Sequence, residues 1–295
     1  MQSADFLSAV FFYLKVGENL NQNWIVENLN NAFSTWNGKL GELWGLVTTG
    51  PQTFKGGAVW SVMHTLHNGM VGIGYALVVL FFAISLCKNT MNFHELKRPE
   101  AAIHYLIRFV AAKALVGYGM DIMLNVFSIC NGIVTDMTDS MGGISEAMVS
   151  LPAEMQTAIE NVGFLASIPL WLVTILGSLF ITVLSFVMIL TVYGRFFRLY
   201  MYTALAPLPL AAFAGESTQS VGISFLKSYV GVCLEGAVIV LACVIYSAFV
   251  STPTVTSGEA TTIVWSYLAE TVFNMLVLVG LIKGSDRIIH EMMGL

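Results

Sequence analysis

Several ionisable side chains interrupt the long apolar stretches of the sequence, and these residues are the best able to do chemistry there. A charge in the hydrocarbon of a membrane is costly. Such a residue is therefore kept to pair with another group, to line a water-filled path, or because its long side chain reaches the headgroups. The residues concerned are Arg108, Lys113, Asp121, Lys227, Glu235 and Glu270.

Helical spacing gives each of these residues a predicted setting. Arg108 shares a helix face with His104, and we expect it to extend to the headgroups. Lys113 lies deeper, on a face with Asp121, and we expect it to face protein or water. Lys227 and Glu235, two turns apart, are too distant to pair, so each needs another partner.

Further polar groups complete a candidate set for a subunit interface or a lumen. Glu270 shares a face with Asn274, and we expect a hydrogen-bonded structural role, with a proton site or a subunit contact as alternatives. A stripe of hydroxyl residues also runs along one uncharged stretch. Such stripes mediate helix packing, and the alternative is pore lining. The stripe consists of Thr174, Ser178, Thr182 and Ser185.

Known catalytic and metal-binding patterns are absent from the sequence. It contains no HExxH, GxSxG or GxxxxGK[ST] motif, and its four cysteines show no zinc-like spacing. His64 and His67 could touch one ion, but no third ligand lies nearby in the sequence. We therefore predict a protein that is not an enzyme and that holds no metal or cofactor.

The composition indicates what must position these residues. The chain is 56% hydrophobic and 11% charged, whereas soluble domains carry about 25% charged residues. An all-α integral membrane protein resolves this excess of apolar surface. The net charge of −5 is spread along the chain without a basic stripe, so no stable nucleic-acid binding is predicted.

A membrane-spanning helix needs roughly 20 mostly apolar residues. Residues 1–60 are predicted to form an extracytoplasmic, amphipathic helical region, and residues 61–295 a transmembrane bundle. Pro207 and Pro209 interrupt the segment 199–214, which we predict to be re-entrant or interfacial; if it crossed, there would be six spans. The five predicted spans are 69–87, 101–129, 162–193, 225–250 and 262–282.

The distribution of loop charges predicts the orientation, because cytoplasmic loops carry the excess of Lys and Arg. The acidic segment 136–160 contains no Lys or Arg and is the predicted outer loop. The N-terminus is then outside and the C-terminus cytoplasmic. The residues predicted inside are Lys88, Lys97, Arg98, Arg195, Arg198, Lys283 and Arg287.

The N-terminal region carries an apolar helix face with three possible locations. The face lies on the outer membrane surface, packs on a partner, or folds onto the chain's own bundle. Its residues are Leu29, Phe33, Trp36, Leu40, Leu43 and Val47.

The segment 193–246 joins four features in a fixed order. A long apolar helix ends in arginines; an APLPLA turn, a Ser/Thr-rich link and a Phe-Leu-Lys helix start follow. This order resembles the TrbL-type polytopic subunit of conjugative type IV secretion systems. The residues that carry the resemblance are Arg195 and Arg198, Ala206–Ala211 with Pro207 and Pro209, Ser217–Ser220, and Phe225–Lys227.

The resemblance implies a structural or channel-base component of a DNA and protein transfer apparatus in the inner membrane of a bacterium. It also implies a homo-oligomer, with five-fold symmetry, that contacts other secretion subunits and lipids and meets transported DNA or protein only transiently. A small-solute transporter or channel using Lys113, Glu235 and Glu270 is the alternative. A lipid-modifying enzyme using Arg195 and Arg198 is a third interpretation.

Overall fold

The computed structural model describes residues 2–90, 99–140, 148–162, 164–249 and 260–294, and no strand occurs among them. In chain order the elements are α1 (Gln2–Thr48), a 3-10 turn (Phe54–Gly57), α2 (Ala58–Thr90), α3 (Pro99–Gly117), α4 (Gly119–Ser140), α5 (Ala153–Glu160), α6 (Phe164–Leu205), α7 (Pro207–Leu210), a second 3-10 turn (Ala211–Ala214), α8 (Gln219–Phe249) and α9 (Ala260–Met293).

Four of these helical segments are long and apolar enough to cross a membrane, and α3 with α4 makes a fifth if the bent pair counts as one span. This confirms the predicted all-α integral membrane protein with about five spans. The four segments are Phe54–Lys88, Ile168–Leu205, Gln219–Phe249 and Thr262–Met293.

The second predicted span, 101–129, is not one continuous helix. The described parts of α3 and α4 meet at Tyr118 with a bend of 72°. Gly117 and Gly119 flank this bend, and glycine is among the residues least favourable to a helix interior. A Cβ on Gly117 would lie 2.7 Å from the Tyr75 hydroxyl. The absence of a side chain at position 117 therefore lets Tyr75 of α2 approach α3 closely.

The helices form two compact units, each assembled from segments that are far apart in the sequence. Hydropathy and periodicity report on one segment at a time, so they do not reveal such a division. The first unit comprises residues 1–44, 142–191 and 241–283, and the second comprises residues 45–141, 192–240 and 284–295.

In the first unit, α1 and α6 run parallel to each other. The ring centroids of Trp24 and Trp171 lie 5.8 Å apart. Further along both helices, Asn28 Nδ2 donates to Ser178 Oγ at 3.0 Å. The sequence offset between partners stays nearly constant along the two helices, as only a parallel pair allows.

The apolar face of α1 is buried inside the chain. The sequence leaves three locations open for this face. In the structure, α1 folds onto the chain's own helices. All six predicted residues are buried: Leu29, Phe33, Trp36, Leu40, Leu43 and Val47.

The acidic segment 136–160 is helical at both ends, because α4 continues to Ser140 and α5 covers Ala153–Glu160. Val149 lies between them and is tied to α1. Its N–H donates to Asn37 Oδ1 at 3.0 Å, and its carbonyl accepts from Asn37 Nδ2 at 2.8 Å. Val149 therefore has a fixed anchor, while the position of the segment outside the membrane stays a prediction.

In the second unit, α6 ends at Leu205, and the chain turns through α7 and the second 3-10 turn before α8. Pro207 has no N–H to continue the helix, which accounts for the break. Pro207 is buried and Pro209 half-buried, and this turn lies against α2 and α3. The predicted segment 199–214 therefore begins within α6, and only its part from Pro207 onward is a separate turn.

The first 3-10 turn and the residues before it pack against the end of α6. Phe54 stacks on Phe196 with ring centroids 4.0 Å apart, and the Tyr200 hydroxyl donates to Pro51 O at 2.8 Å. The sequence predicts the N-terminal region outside and the end of α6 inside, and these sides of the membrane stay a prediction. The prediction treated Arg195 as a loop charge, but α6 continues past it and buries it.

Candidate functional site

A buried arginine on α6 organises the second unit. Arg195 is fully buried, and its guanidinium donates to the carbonyls of Val232 at 3.3 Å, Cys233 at 3.1 Å and Val47 at 3.5 Å. The ring centroid of Phe127 lies 5.9 Å from its Cζ. Hydrogen bonds and a ring face offset the cost of removing the charge from water. Arg195 therefore connects α6 with α1, α4 and α8.

A glycine on α8 allows this close approach. A Cβ on Gly236 would lie 2.7 Å from Nη1 and 2.8 Å from Cζ and Nη2 of Arg195. Any larger residue at position 236 would displace the guanidinium from its carbonyl acceptors. The contact explains why α8 keeps a glycine in its interior, where glycine costs about 0.5–1 kcal/mol relative to alanine.

Gly236→Ala is expected to destabilise the protein by about 1–2 kcal/mol, because the added methyl group overpacks the Arg195 site. Gly194→Ala is the matched control, since a Cβ on Gly194 meets no atom within 4 Å. This control is expected to be neutral, or stabilising by up to about 1 kcal/mol through helix propensity. Thermal unfolding in a mild detergent measures both variants, and equal melting temperatures would contradict the tight contact.

Arg198, one turn beyond Arg195, lies at the centre of an ion cluster. Its Nη2 donates to both carboxylate oxygens of Glu235, each at 2.7 Å, and its Nη1 contacts Asp286 Oδ1. The Ser285 hydroxyl donates to Glu235 Oε1 at 3.3 Å. The side chain of Glu235 is 1% exposed, that of Arg198 28% and that of Asp286 42%. The cluster thus extends from the interior of the unit to its surface.

The cluster holds α6, α8 and α9 together. Arg198 and the nearby Arg195 carry a formal charge of +2, which balances the −2 of Glu235 and Asp286. Both oxygens of Glu235 accept from Arg198, so this carboxylate is engaged rather than poised as a general base. Within the described ranges, no group of three His, Cys, Asp or Glu side chains could hold a metal ion. The arrangement therefore supports a structural role.

The other predicted site residues of the second unit do not join the cluster. Arg108 is half-buried, and its Nη2 donates to Gln219 Oε1 at 3.4 Å. Its Nη1 lies 3.8 Å from Glu216 Oε2. The remaining three, Lys113, Asp121 and Lys227, are exposed.

The hydroxyl stripe of the first unit lies along the face of α6 that contacts α1. Each hydroxyl donates to a carbonyl three or four residues earlier on α6, and Ser178 also accepts from Asn28. This geometry favours the packing role over pore lining. In the same unit Asn274 is buried and Glu270 exposed. The stripe residues Thr174, Ser178 and Ser185 are buried, and Thr182 is half-buried.

Sequence reasoning missed Ser285, Asp286 and Gly236. Ser285 and Asp286 lie beyond the last predicted span, 262–282, but α9 continues to Met293. A signal was present: Ser285 continues the helical spacing of the apolar residues Ile282 and Ile289, so it falls on the buried face. Gly236 carried no comparable signal, because its role depends on the position of Arg195.

Comparison with known proteins gives one match. A family model described as "TrbL/VirB6 plasmid conjugal transfer like protein" matches residues 36–207, more than half of the chain. The matched range includes Arg195 and Arg198 and ends at Pro207, before Glu235 and Asp286. Neither the curated proteins nor the solved structures give a match.

Proposed function

We propose that this chain, which belongs to the TrbL/VirB6 family of plasmid conjugal transfer-like proteins, oligomerises in the cytoplasmic membrane as the channel base of a conjugative transfer apparatus. Its family makes it a component of such an apparatus, and its apolar helices make it a multi-pass membrane protein. The family match is the observation that carries the proposal. The oligomer and the position at the channel base are the parts of the proposal that go beyond the family match.

Charged residues exposed on membrane-spanning helices support the oligomer. Lys113, Lys227 and Glu270 are exposed, and each lies in a helix long and apolar enough to span or to form part of a bent span. A charge facing lipid hydrocarbon is costly. A neighbouring copy or a water-filled space enclosed by several copies removes that cost.

The solute-transporter alternative has less support. It needs an ionisable group that can bind and release an ion near the middle of the membrane. Glu235 is instead engaged by Arg198 and Ser285. The lipid-enzyme interpretation relied on Arg195 and Arg198, which bind protein groups.

For localisation, we propose an extracytoplasmic N-terminus and a cytoplasmic C-terminus. The exposed Lys283 and Arg287 near the C-terminal end favour the cytoplasm for that end. Other secretion-system subunits are the proposed partners, together with lipids. Without a basic stripe in the sequence, contact with transported DNA or protein is proposed to be transient.

Crosslinking tests the oligomer. Glu270→Cys in a Cys87→Ser background, which removes an exposed thiol, is expected to crosslink one copy to another in native membranes. The purified protein is expected to be larger than a monomer by light scattering in a mild detergent, and to co-purify with other transfer proteins. A detergent monomer that gives no self-crosslink in membranes would refute the oligomer and leave the family assignment intact.

A further inference from the structure

A small polar cavity in the second unit has no part in the ion cluster. It has a volume of about 280 Å³ and is lined by His104, Tyr105, Arg108 and Glu216. Small-molecule sites usually occupy about 300–1,000 Å³, so this cavity fits a group the size of a phosphate ester. It lies where α3 meets the turn that precedes α8.

The guanidinium of Arg108 is only loosely engaged in this cavity. Its contact with Gln219 is 3.4 Å long and its contact with Glu216 3.8 Å, both longer than the usual 2.9–3.0 Å of an N–H···O bond. The side chain of Glu216 is 65% exposed, so it can turn toward solvent. Arg108 can therefore offer its paired N–H donors to an incoming phosphate, which guanidinium binds well.

The surface around Arg108 is apolar. Large aliphatic side chains stand exposed on α3 on both sides of Arg108, within a segment apolar enough to be part of a membrane span. A cationic cavity beside exposed aliphatic residues matches a molecule that joins a phosphate to hydrocarbon chains. The exposed residues are Ile103, Leu106, Ile107 and Val110.

We propose that the cavity at Arg108 binds the phosphate headgroup of an anionic phospholipid, whose acyl chains lie along the aliphatic surface of α3. A free phosphate shares the headgroup chemistry but leaves that surface uncovered. Glu216 limits the affinity, because its carboxylate competes with the phosphate for Arg108. The site is independent of the proposed function, since it requires only that the protein resides in a membrane.

Native mass spectrometry of the full chain in a mild detergent tests the site. The probes are dioleoylphosphatidylglycerol, dioleoylphosphatidylcholine and inorganic phosphate, each titrated separately. We expect phosphatidylglycerol to be retained preferentially and Arg108→Gln to weaken its binding about five- to tenfold, as loss of one charged contact predicts. Arg287→Gln, which removes a charge from an 86% exposed side chain on α9, should bind like the unaltered protein.

Glu216→Gln provides a second test that does not remove the arginine. Loss of the competing carboxylate is expected to strengthen phosphatidylglycerol binding by about twofold or more, since Arg108 then no longer faces a negative charge at position 216. Equal binding of the two lipids, or unchanged phosphatidylglycerol binding in both variants, would overturn the proposal. Inorganic phosphate bound as tightly as the lipid would overturn the lipid assignment.

Discussion

Glu235→Leu is expected to destabilise the protein by about 3–5 kcal/mol, the usual cost of removing one partner from a buried ion pair. At roughly 2 °C per kcal/mol for a chain of this size, the melting temperature should fall by about 6–10 °C. In this variant Arg198 loses both carboxylate oxygens of Glu235 and faces the apolar leucine instead. Asp286 stays as its acidic partner. Arg195, nearby and fully buried, would lose a compensating charge as well.

Two control variants distinguish the loss of the ion cluster from a general loss of stability. Arg198→Met combined with Glu235→Leu should recover part of the loss, because Arg198 then no longer faces an apolar side chain as an unpaired charge. The part that depends on Arg195, which still lacks the Glu235 charge, should not be recovered. Glu291→Gln removes a carboxylate from the exposed pair with Arg287, and such pairs contribute about 0–1 kcal/mol. Thermal unfolding in detergent compares all three proteins. If Glu235→Leu melts within about 2 °C of the unaltered protein, the cluster does not stabilise the fold.

The sequence predicts those parts of the fold that depend on one helix at a time. Hydropathy located the apolar segments, because the 20-residue length of a span is a local property. Periodicity located the buried face of α1, since Leu29, Trp36 and Leu43 recur at helical spacing. The structure buries all three residues.

Interactions between distant helices escape this reasoning. Glu235 was expected to need a partner, but nothing in its own segment pointed to Arg198 or to Asp286, 51 residues further on. Spacing within a helix reports on neighbours three or four positions away. Pairs across helices are set by how the helices pack, which a single sequence does not specify.

The misassignment of Arg195 shows how a local rule can fail. The charge rule applies to Lys and Arg in short loops, and Arg195 ends a long uncharged run, as a loop charge would. Its burial depends on Gly236 and on the carbonyls of α8, none of which is visible from α6 alone. Because α6 continues past Arg195 and buries it, the charge rule for loops does not apply to this residue.

The turn after α6 depends on one glycine of α2. A Cβ on Gly74 would lie 2.9 Å from Pro207 O, 2.9 Å from Val116 Cγ1 and 3.0 Å from Pro207 Cβ. Two of these three atoms belong to Pro207, whose carbonyl and ring are part of the backbone of the turn and cannot rotate away. The approach of α2 to the turn and to α3 therefore requires a residue without a side chain at position 74.

Gly74→Ala is accordingly expected to destabilise the protein by about 2–3 kcal/mol, toward the upper part of the range for overpacking, because the backbone at Pro207 must move. Gly72→Ala is a control on the same helix: a Cβ on Gly72 meets no atom within 4 Å. That variant should be neutral, or stabilised by up to about 1 kcal/mol. Thermal unfolding should therefore separate the two by roughly 4–8 °C, at about 2 °C per kcal/mol. Two alanine variants of equal stability would show that the turn does not need the close approach to α2.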